Sequence, residues 1–353
     1  MKIAIHSRIG SFSEIWISYC EENRIPYKIV NCYDSDIISQ LTDCDGLMWH
    51  WDLNDYKAAL FVRQLTHSVE KIGKKVFPDI KTSWHYEDKV GQKYLMESIN
   101  APMVKTYVFY SKADALKWLD KTTFPKVFKL RNGAGSSNVQ LVKSKKKAKK
   151  LVNKAFGKGF PSISPFRRFK ERLYILNRDR DFRGLMLLIG GLVRFFIPTN
   201  VEKYSSSENG YIYFQDFLSN NDFDTRLVVV GNKCFGMIRY CRKGDFRASG
   251  SGLKDYNHEL IDTDCVDIAF DISQKLKTQS AAFDFIKQDG KFKVIEISYT
   301  FVTENFPGYW DTNLVWHHGE ICPQISMIED FINSLNKNPL NQKNENSNSS
   351  QTR

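Results

Sequence analysis

Residues 281–298, AAFDFIKQDGKFKVIEIS, decide the fold of this chain. Two largely apolar runs flank a Gln-Asp-Gly stretch at 288–290, and a short glycine-containing connection of this kind is typical of a β-hairpin. If the turn is centred near Gly290, Asp284 and Glu296 are each six residues away from it. The two carboxylates are therefore predicted to face each other across an antiparallel pair, with Cβ atoms about 4.5–5.5 Å apart.

Two carboxylates this close repel each other unless a positive charge lies between them. Both are embedded in apolar strands, where an unpaired charge is costly. Mg²⁺ meets the requirement, because it binds one or two carboxylates and completes its shell with water and nucleotide phosphates. Ser298 lies on the same side as Glu296 by the period of two, so Asp284, Glu296 and Ser298 form a candidate metal site. The alternative is a pair of solvated acids on a surface hairpin.

A second candidate site is a lysine followed by a glycine-rich loop, in FPKVFKLRNGAGSSNVQLV. Lys129 lies in a mostly apolar strand, and the loop after it contains the small residues Gly133, Gly135, Ser136 and Ser137. Such a loop offers backbone N–H groups to an anion, and the lysine adds a fixed positive charge, so phosphate is the expected ligand. The sequence is neither a P-loop nor a Rossmann fingerprint. A purely structural hairpin is the alternative.

Composition and charge exclude several classes of protein. The 353 residues carry a net charge of +11, but sixteen Lys or Arg against four Asp or Glu lie between Lys145 and Lys203, so the rest of the chain is almost neutral. A whole-surface nucleic-acid footprint is therefore not indicated. The first residues, MKIAIHSRIG, lack the pattern of a signal peptide, so none is expected, and no apolar run is long enough to predict a membrane span. Seven scattered cysteines without a CxxC pair indicate a reduced, cytoplasmic protein without structural zinc.

The pattern along the chain predicts several subdomains. Residues 1–100 alternate short apolar strands with amphipathic helices, which favours an α/β domain with a mostly parallel sheet. Residues 101–218 are expected to form a smaller α+β unit with a basic insertion at 145–203, and residues 219–335 a sheet-rich unit that holds the metal site. The polar tail 336–353 is expected to be disordered.

In chain order, these pieces resemble the ATP-grasp superfamily over roughly residues 80–300. The resemblance implies an ATP-grasp fold of mixed α/β and α+β class, with an N-terminal, Rossmann-like pre-ATP-grasp domain. It implies that Lys89 in EDKVGQKYLME and Lys129, with the glycine loop as a lid, bind the phosphates of ATP. GYIYFQDFL resembles the hinge whose backbone binds adenine, at Gln215, Asp216, Phe217 and Leu218, and Asp224, or else Asp222, would bind the ribose.

Three arginines and the hairpin complete this resemblance. Arg226 and Arg239 resemble family arginines that approach phosphate or substrate, and Arg247 in RKGDFRASGSG would stabilise the transferring phosphoryl group. The family usually ends its metal motif E-x-N, whereas this chain has a serine at 298, which is a weaker ligand than asparagine for a second Mg²⁺. The implied cofactors are ATP and one or two Mg²⁺ ions, with Mn²⁺ as a substitute.

DGLMWHWD near the N-terminus and NFPGYWDTNLVWHHGEICPQ near the C-terminus resemble a narrower ATP-grasp group that we associate with bacterial surface-polysaccharide loci. Residues 49–52 follow a predicted parallel strand, at the edge where α/β sheets bind ligands. Two buried tryptophans, Trp49 and Trp51, with a capping Asp52 are the alternative. His317 and His318 with Asp311 favour packing or an acceptor pocket over a metal site, because adjacent histidines point in different directions.

The resemblance implies an ADP-forming carboxylate–amine ligase that makes an acyl phosphate and joins it to an amine. Its substrates are expected to be a small-molecule carboxylate and an amine. Whether they are linked to a sugar, and whether the chain forms a homodimer, are left open. A kinase that phosphorylates a hydroxyl acceptor is the second hypothesis. The third is a nucleic-acid or anionic-membrane binder that uses the basic segment. For that segment a solvated insertion and a surface that steers an anionic acceptor are both considered, the latter through Arg167, Arg168 and Arg172.

Overall fold

The computed structural model describes residues 1–52, 55–132, 138–161, 169, 172–174, 176–177, 186, 188–190 and 207–336. Within these residues the strands form three sheets. The glycine loop at 133–137, most of the basic insertion and the tail from 337 lie outside the described residues, and so do the predictions made for them.

The N-terminal sheet is parallel, with strand order β2-β1-β3-β4. Its strands are β1 (Ile3–His6), β2 (Tyr27–Val30), β3 (Gly46–Met48) and β4 (Lys75–Phe77). The helices of this part are α1 (Phe12–Glu22), α2 (Ile37–Gln40), α3 (Tyr56–Lys71), α4 (Ile80–Ser83) and α5 (Lys89–Ser98). The predicted parallel α/β arrangement is confirmed. Helix α5 begins at Lys89, because the Asp88 side chain accepts from the Gly91 N–H and caps it.

The second sheet is antiparallel, with order β5-β8-β6-β7, and we call it the lid sheet. It consists of β5 (Thr106–Phe109), β6 (Lys126–Lys129), β7 (Val139–Val142) and β8 (Ile212–Asp216). Helices α6 (Lys112–Leu119) and α7 (Lys145–Ala155) pack on one of its faces. Helix α7 therefore belongs to the lid core, although its lysines suggested that the insertion begins there. The chain leaves and re-enters the lid through the paired residues Phe160 and Glu208.

The third sheet has seven strands, in the order β13-β12-β9-β10-β14-β15 with β11 beside β10. They are β9 (Phe223–Val230), β10 (Lys233–Tyr240), β11 (Lys254–Asp255), β12 (Ser280–Gln288), β13 (Lys291–Ser298), β14 (Phe306–Trp310) and β15 (Trp316–Ile321). A 3₁₀ turn at His258–Leu260 precedes α8 (Thr263–Leu276), and α9 (Pro323–Asn336) ends the described chain.

Helix α9 joins the N-terminal sheet to the seven-stranded sheet. Phe331 and Met327 of α9 are buried in one cluster with Trp16 of α1 and Val228 of β9. The Trp16 indole N–H also donates to the Gln324 carbonyl at 3.2 Å. Since this apolar cluster contains residues of both sheets, the carboxyl edge of the parallel sheet is fixed relative to the end of β13.

The β12–β13 hairpin has the predicted facing pair, Asp284 opposite Glu296, but it reaches this register in an unexpected way. The turn is a two-residue one at Asp289 and Gly290, both with positive φ, and near the turn Phe285 pairs with Val294. Continued unchanged, that register would place Asp284 opposite Ile295. A β-bulge between Asp284 and Phe285 adds one residue on β13 and brings Glu296 opposite Asp284.

Gly290 is needed for its backbone conformation alone. Its φ is +76°, and a Cβ added there would meet no atom within 4 Å. Gly290→Ala is therefore expected to lower the free energy of unfolding by about 1–2 kcal/mol through left-handed strain. Urea unfolding measures this loss, and Gly290→Asn should retain more stability because asparagine tolerates this conformation. Equal losses for both variants would contradict the explanation.

Two further observations bear on the predicted class. All seven cysteines are free thiols. In the part of the chain that the structure describes, no helix is both long enough and apolar enough to cross a membrane.

Candidate active site

A cleft lies between the lid sheet and the seven-stranded sheet, with about 810 Å³ of empty space. Lys129 of β6 lines its lid side, and Asp284 and Glu296 line the opposite side. Phe217 and Leu218, which connect the two sheets, form a third wall. The tertiary structure thus brings together residues that the sequence places up to 167 positions apart, in one concave site.

Asp284 is buried and surrounded by guanidinium groups. Its Oδ1 accepts from Arg226 Nε at 2.7 Å, and its Oδ2 accepts from Arg226 Nη2 at 2.9 Å and from Arg239 Nη2 at 2.7 Å. Burial opposes ionisation of Asp284, but the two arginines outweigh it and hold the pKa of this carboxyl below its usual range. Asp284 is therefore a fixed negative charge at the floor of the cleft.

Asp224, the expected ribose ligand, is committed to another contact. Both of its oxygens accept from Arg239, at 2.7 Å each, and its side chain is almost fully buried. Burial raises the pKa of Asp224 to about 6, against the opposing effect of Arg239. Asp222, the other acid considered for the ribose, is exposed on the loop before β9. Of the two acids, Asp224 lines the cleft, so it stays the candidate for the ribose contact in spite of its pairing with Arg239.

Two lysines contact the end of β13 at residues 295 and 296. Lys89 Nζ is 3.0 Å from Glu296 Oε1, and Lys129 Nζ donates to the Ile295 carbonyl at 3.3 Å. Burial opposes the charge of Lys89, but Glu296 and Glu87 outweigh it and hold the pKa of Lys89 above its usual range. Burial lowers the pKa of Lys129 to about 8, although Glu296 favours its charged form.

Positive side chains already relieve part of the repulsion expected between Asp284 and Glu296. Arg226 and Arg239 neutralise Asp284, and Lys89 neutralises Glu296. Sequence inspection missed these contacts, because the arginines lie on β9 and β10 and reach Asp284 only through the strand order. Within the described ranges, no group of three His, Cys, Asp or Glu side chains is placed to hold a metal ion.

The four expected hinge residues, 215–218, differ in whether their backbone and side-chain groups are already hydrogen-bonded within the protein. The Gln215 backbone pairs with both β5 and β6, and its side-chain amide donates to Thr106 Oγ1 at 3.1 Å. Asp216 Oδ1 is 2.5 Å from Lys126 Nζ, and the Asp216 N–H donates to a lid carbonyl. Phe217 and Leu218 lie beyond the end of β8 and line the cleft. Their backbone is thus the part of the hinge that remains for a ligand.

Arg247 lines the cleft from the loop after β10. Its guanidinium contacts Asp245, with Nε 2.9 Å from Oδ1 and Nη2 2.5 Å from Oδ2. Tyr174 of the insertion contacts the same loop, because the Arg242 guanidinium lies 3.8 Å from its ring centroid and its hydroxyl donates to the Ser251 carbonyl at 3.1 Å. No pattern in the sequence indicates this contact between the insertion and the Arg247 loop.

Ser298 is engaged locally. Its hydroxyl donates to the Thr300 carbonyl at 2.8 Å and accepts from the Thr300 N–H at 3.2 Å. In this conformation it stabilises the turn after β13. The Ser298 hydroxyl is therefore less available to a second Mg²⁺ than its position in the metal motif suggests.

The aromatic motifs from the two ends of the chain have different environments. Trp49 and Trp51 are core residues, whereas the predicted cap at Asp52 is wrong, because Asp55 caps α3 and Asp52 instead pairs with Arg8 at 2.6 Å. His317 Nε2 is 2.9 Å from Asp311 Oδ2. His318 Nδ1 accepts from the Trp316 indole at 3.2 Å. The two histidines lie on the outer strand β15, and each therefore has a different partner.

Two sheets that enclose a nucleotide-sized cleft, with a lysine strand on one side and an acidic hairpin on the other, define the ATP-grasp fold. The family model of the RimK-like ATP-grasp domain matches residues 198–317. The resemblance of the motifs to the ATP-grasp superfamily is thus confirmed, and the chain has the ATP-grasp fold with an N-terminal parallel α/β part. No curated protein matches the sequence.

Solved structures share this fold at low sequence identity. D-cycloserine synthetase DcsG is 12% identical, with 95% of this chain and 100% of that chain covered and a TM-score of 0.56. A RimK domain ATP-grasp protein from Sphaerobacter thermophilus DSM 20745 is 14% identical, with 84% and 90% covered and a TM-score of 0.51. D-alanine–D-alanine ligase from Bacillus anthracis, complexed with ATP, is 12% identical, with 85% and 86% covered and a TM-score of 0.50.

Proposed function

We propose that this protein is a cytoplasmic, ADP-forming ligase that activates a carboxylate with ATP and joins it to an amine. The observation that carries the proposal is the cleft in which Lys129, Asp284 and Glu296 converge beside the backbone of Phe217 and Leu218. It combines a flat apolar slot with a charged end, which suits an adenine base and a polyphosphate, respectively.

The charges at this end support phosphate binding. When all groups are ionised, this end carries four positive and three negative charges. The positive charges belong to Lys89, Lys129, Arg226 and Arg239, and the negative charges to Asp224, Asp284 and Glu296. This small positive excess, together with the exposed side of Glu296, favours a nucleotide that arrives with a divalent cation. Lys129 adds a donor fixed by burial, so little reorganisation is needed when phosphate binds.

The donor set fits Mg²⁺, although for a different reason than charge repulsion. Asp284 and Glu296 offer hard oxygen ligands from two facing strands, and Mg²⁺ commonly uses one or two carboxylates with phosphates and water. Asp284 and Glu296 would hold the ion, and Ser298 would join them only after breaking its contacts with Thr300. When bound, the ion supplies neutralisation of the phosphate charge.

In the proposed reaction, an oxygen of the acceptor carboxylate attacks the γ-phosphorus of ATP, and the bond to the β-phosphate oxygen breaks to release ADP. An amine then attacks the carbonyl carbon of the acyl phosphate, loses a proton and expels inorganic phosphate. The chain positions these groups and needs no nucleophile of its own. Arg247, oriented by Asp245 at the edge of the cleft, would stabilise the phosphoryl group in transfer.

The names of the similar structures agree with this class. One is called a ligase and was crystallised with ATP, and another is called a synthetase. The carboxylate and the amine are left to experiment, and sugar-linked acids and precursors of surface polysaccharides are among the candidates.

The test is an ADP-release screen of the full chain with Mg²⁺ and ATP against amino acids, uronic acids and nucleotide sugars. Hydroxylamine is included, because it traps an acyl phosphate as a hydroxamate. We expect ADP, free phosphate and hydroxamate in equal amounts with a true acceptor. Glu296→Gln should reduce the rate by on the order of 10²–10³, because it removes a carboxylate that is proposed to hold Mg²⁺.

Glu22→Gln, an exposed exchange of the same type on α1, is the matched control and should leave the rate unchanged. ADP formed with the phosphate retained on the acceptor and no hydroxamate would replace the ligase with a kinase. No ATP binding in the presence of Mg²⁺ would overturn the proposal altogether.

A further inference from the structure

The carboxyl edge of the parallel sheet carries polar side chains that the proposed ATP site does not use. Arg8 follows β1, His50 and Asp52 follow β3, and Thr300 follows β13. His50 Nε2 is 2.7 Å from Thr300 Oγ1, so this edge and the end of the acidic hairpin are in direct contact. The Phe12 and Phe301 rings, 5.4 Å apart, close the same junction.

His50 determines the direction of the hydrogen bond to Thr300. Its ring stacks on Phe12 at 3.7 Å, and its Nδ1 accepts from the Phe12 N–H at 3.1 Å. A backbone N–H can only donate, so Nδ1 is unprotonated, and the neutral ring then carries its proton on Nε2. His50 therefore donates to Thr300 Oγ1, and the hydroxyl hydrogen of Thr300 must point elsewhere. Burial, which lowers the pKa of His50 to about 3, favours the same neutral form.

Thr300 and Arg8 both retain donors. Among the described residues, the Thr300 hydroxyl has no acceptor, since its other contacts to Ser298 use the backbone N–H and carbonyl. Arg8 Nη2 binds Asp52, but its Nε is buried without a partner in the part of the chain that the structure describes. The Arg8 loop is held in place, because its backbone N–H donates to Ser13 Oγ at 3.0 Å. Asp52 thus orients the guanidinium and leaves other donors for a ligand.

This edge lies on the side of the acidic hairpin where an acceptor would meet ATP. Glu296, Ser298 and Thr300 are spaced by two positions along the chain. Thr300 follows Glu296 by four residues, and four residues of extended chain span about 13 Å, so the two residues are no farther apart than about this distance at the backbone. Tyr86 packs between the two segments, because its ring centroid lies 5.1 Å from that of Trp51, which precedes Asp52, and 4.9 Å from that of Tyr299, which precedes Thr300. The end of β13 therefore leads from Glu296 to the edge that carries Arg8.

We propose that Arg8 and Thr300, oriented by Asp52 and His50, bind a second anionic group of the acceptor, at the end opposite to the carboxylate that is phosphorylated. The acceptor is thus an acid with two negatively charged ends, and the second group is a carboxylate or a phosphate. This inference rests on the proposed ligase function and adds the acceptor class to it. Arg8 is the specificity-determining residue, and His50 is a positioning residue.

Calorimetry on the full chain with Mg²⁺ and a non-hydrolysable ATP analogue tests the inference. The probes are the straight-chain diacids from succinate to suberate, the monoacids of equal length, and 4-phosphonobutanoate as the phosphate arm. We expect at least one two-ended acid to bind ten times more tightly than its monoacid or more. Whether the diacids or 4-phosphonobutanoate show the larger ratio of affinity over the monoacid identifies the second group as a carboxylate or a phosphate.

Variants assign this preference to named side chains. Arg8→Ala should remove the ratio between two-ended acid and monoacid, Arg8→Lys should restore part of it, and Thr300→Val should reduce it several-fold. The affinity for the ATP analogue should stay within a factor of two in all three. Lys2→Ala, which removes a cation at the opposite edge of the same sheet, is the matched control and should leave the ratio intact.

A monoacid that binds as tightly as every two-ended acid, or a ratio that survives Arg8→Ala, would overturn the inference. Both results can occur with normal nucleotide binding, so they are distinct from failure of the ligase proposal, in which the ATP analogue itself does not bind. Unfolding curves of the variants check for a general loss of structure, because the Arg8–Asp52 pair is only partly exposed.

Discussion

Asp284→Asn is expected to lower the free energy of unfolding by about 3–5 kcal/mol, because it leaves the buried Arg239 and the partly buried Arg226 without their shared carboxylate. Arg226 and Arg239 both donate to Asp284, and Asp224 offsets only Arg239. Activity should fall by on the order of 10²–10³, since the same carboxylate is proposed to hold Mg²⁺. Urea unfolding and ADP release measure the two effects separately.

The two effects can be separated by a second substitution. Adding Arg226→Met to Asp284→Asn removes one uncompensated charge and should recover part of the stability, but it should not recover activity. Asp289→Asn, at the exposed tip of the same hairpin, is the matched control and should change neither, because asparagine adopts positive φ as readily. Full activity of the Asp284 variant would exclude it from the metal site.

Lys129→Met is expected to weaken ATP binding by about 10–150-fold, which corresponds to the loss of a charge-assisted hydrogen bond of about 1.5–3 kcal/mol. Methionine has a similar shape and suits a buried position, so the lid core should tolerate it. Lys143→Met, on an exposed residue just after β7, is the matched control and should bind ATP normally. Calorimetry with the non-hydrolysable analogue measures both.

The pH dependence of ATP affinity should report the same lysine. Lys129 has a pKa lowered to about 8, so the protein without nucleotide loses this charge as the pH rises through 8. ATP favours the protonated form, and its affinity should therefore be constant below about pH 7 and fall up to tenfold per unit above pH 8. Lys129→Arg should bind with little pH dependence between 7 and 9.5, because arginine stays charged. An unchanged slope in this variant would assign the titration to another group.

Much of the fold was predictable because its signals are local. The alternation of apolar strands and amphipathic helices before residue 100 predicts the parallel sheet, which needs only periodicity and short connections. The hairpin was predictable from its turn residues. The pairing of Asp284 with Glu296 was predicted correctly, on the assumption of a turn centred near Gly290. The bulge between Asp284 and Phe285 was not predictable, because both strands are apolar there and no residue type marks it.

The site was predictable in part. Lys129, Asp284 and Glu296 were selected because charged residues inside apolar strands need partners, and this holds wherever the strands are placed. The nature of those partners was not predictable. Arg226 is 58 residues from Asp284, and only the order β12-β9-β10 makes it a neighbour, so the ion pairs that surround this carboxylate had no local signal.

The sequence by itself determined which segments become strands and helices, and which charged side chains would be buried. Both depend on hydrophobic periodicity and turn residues within a few positions of one another. Only the tertiary structure decided which charges meet: Arg239 with both Asp224 and Asp284, Lys89 with Glu296, and His50 with Thr300. The physical reason is that electrostatic and hydrogen-bond partners are set by distances of a few ångströms across neighbouring strands, which chain order does not encode locally.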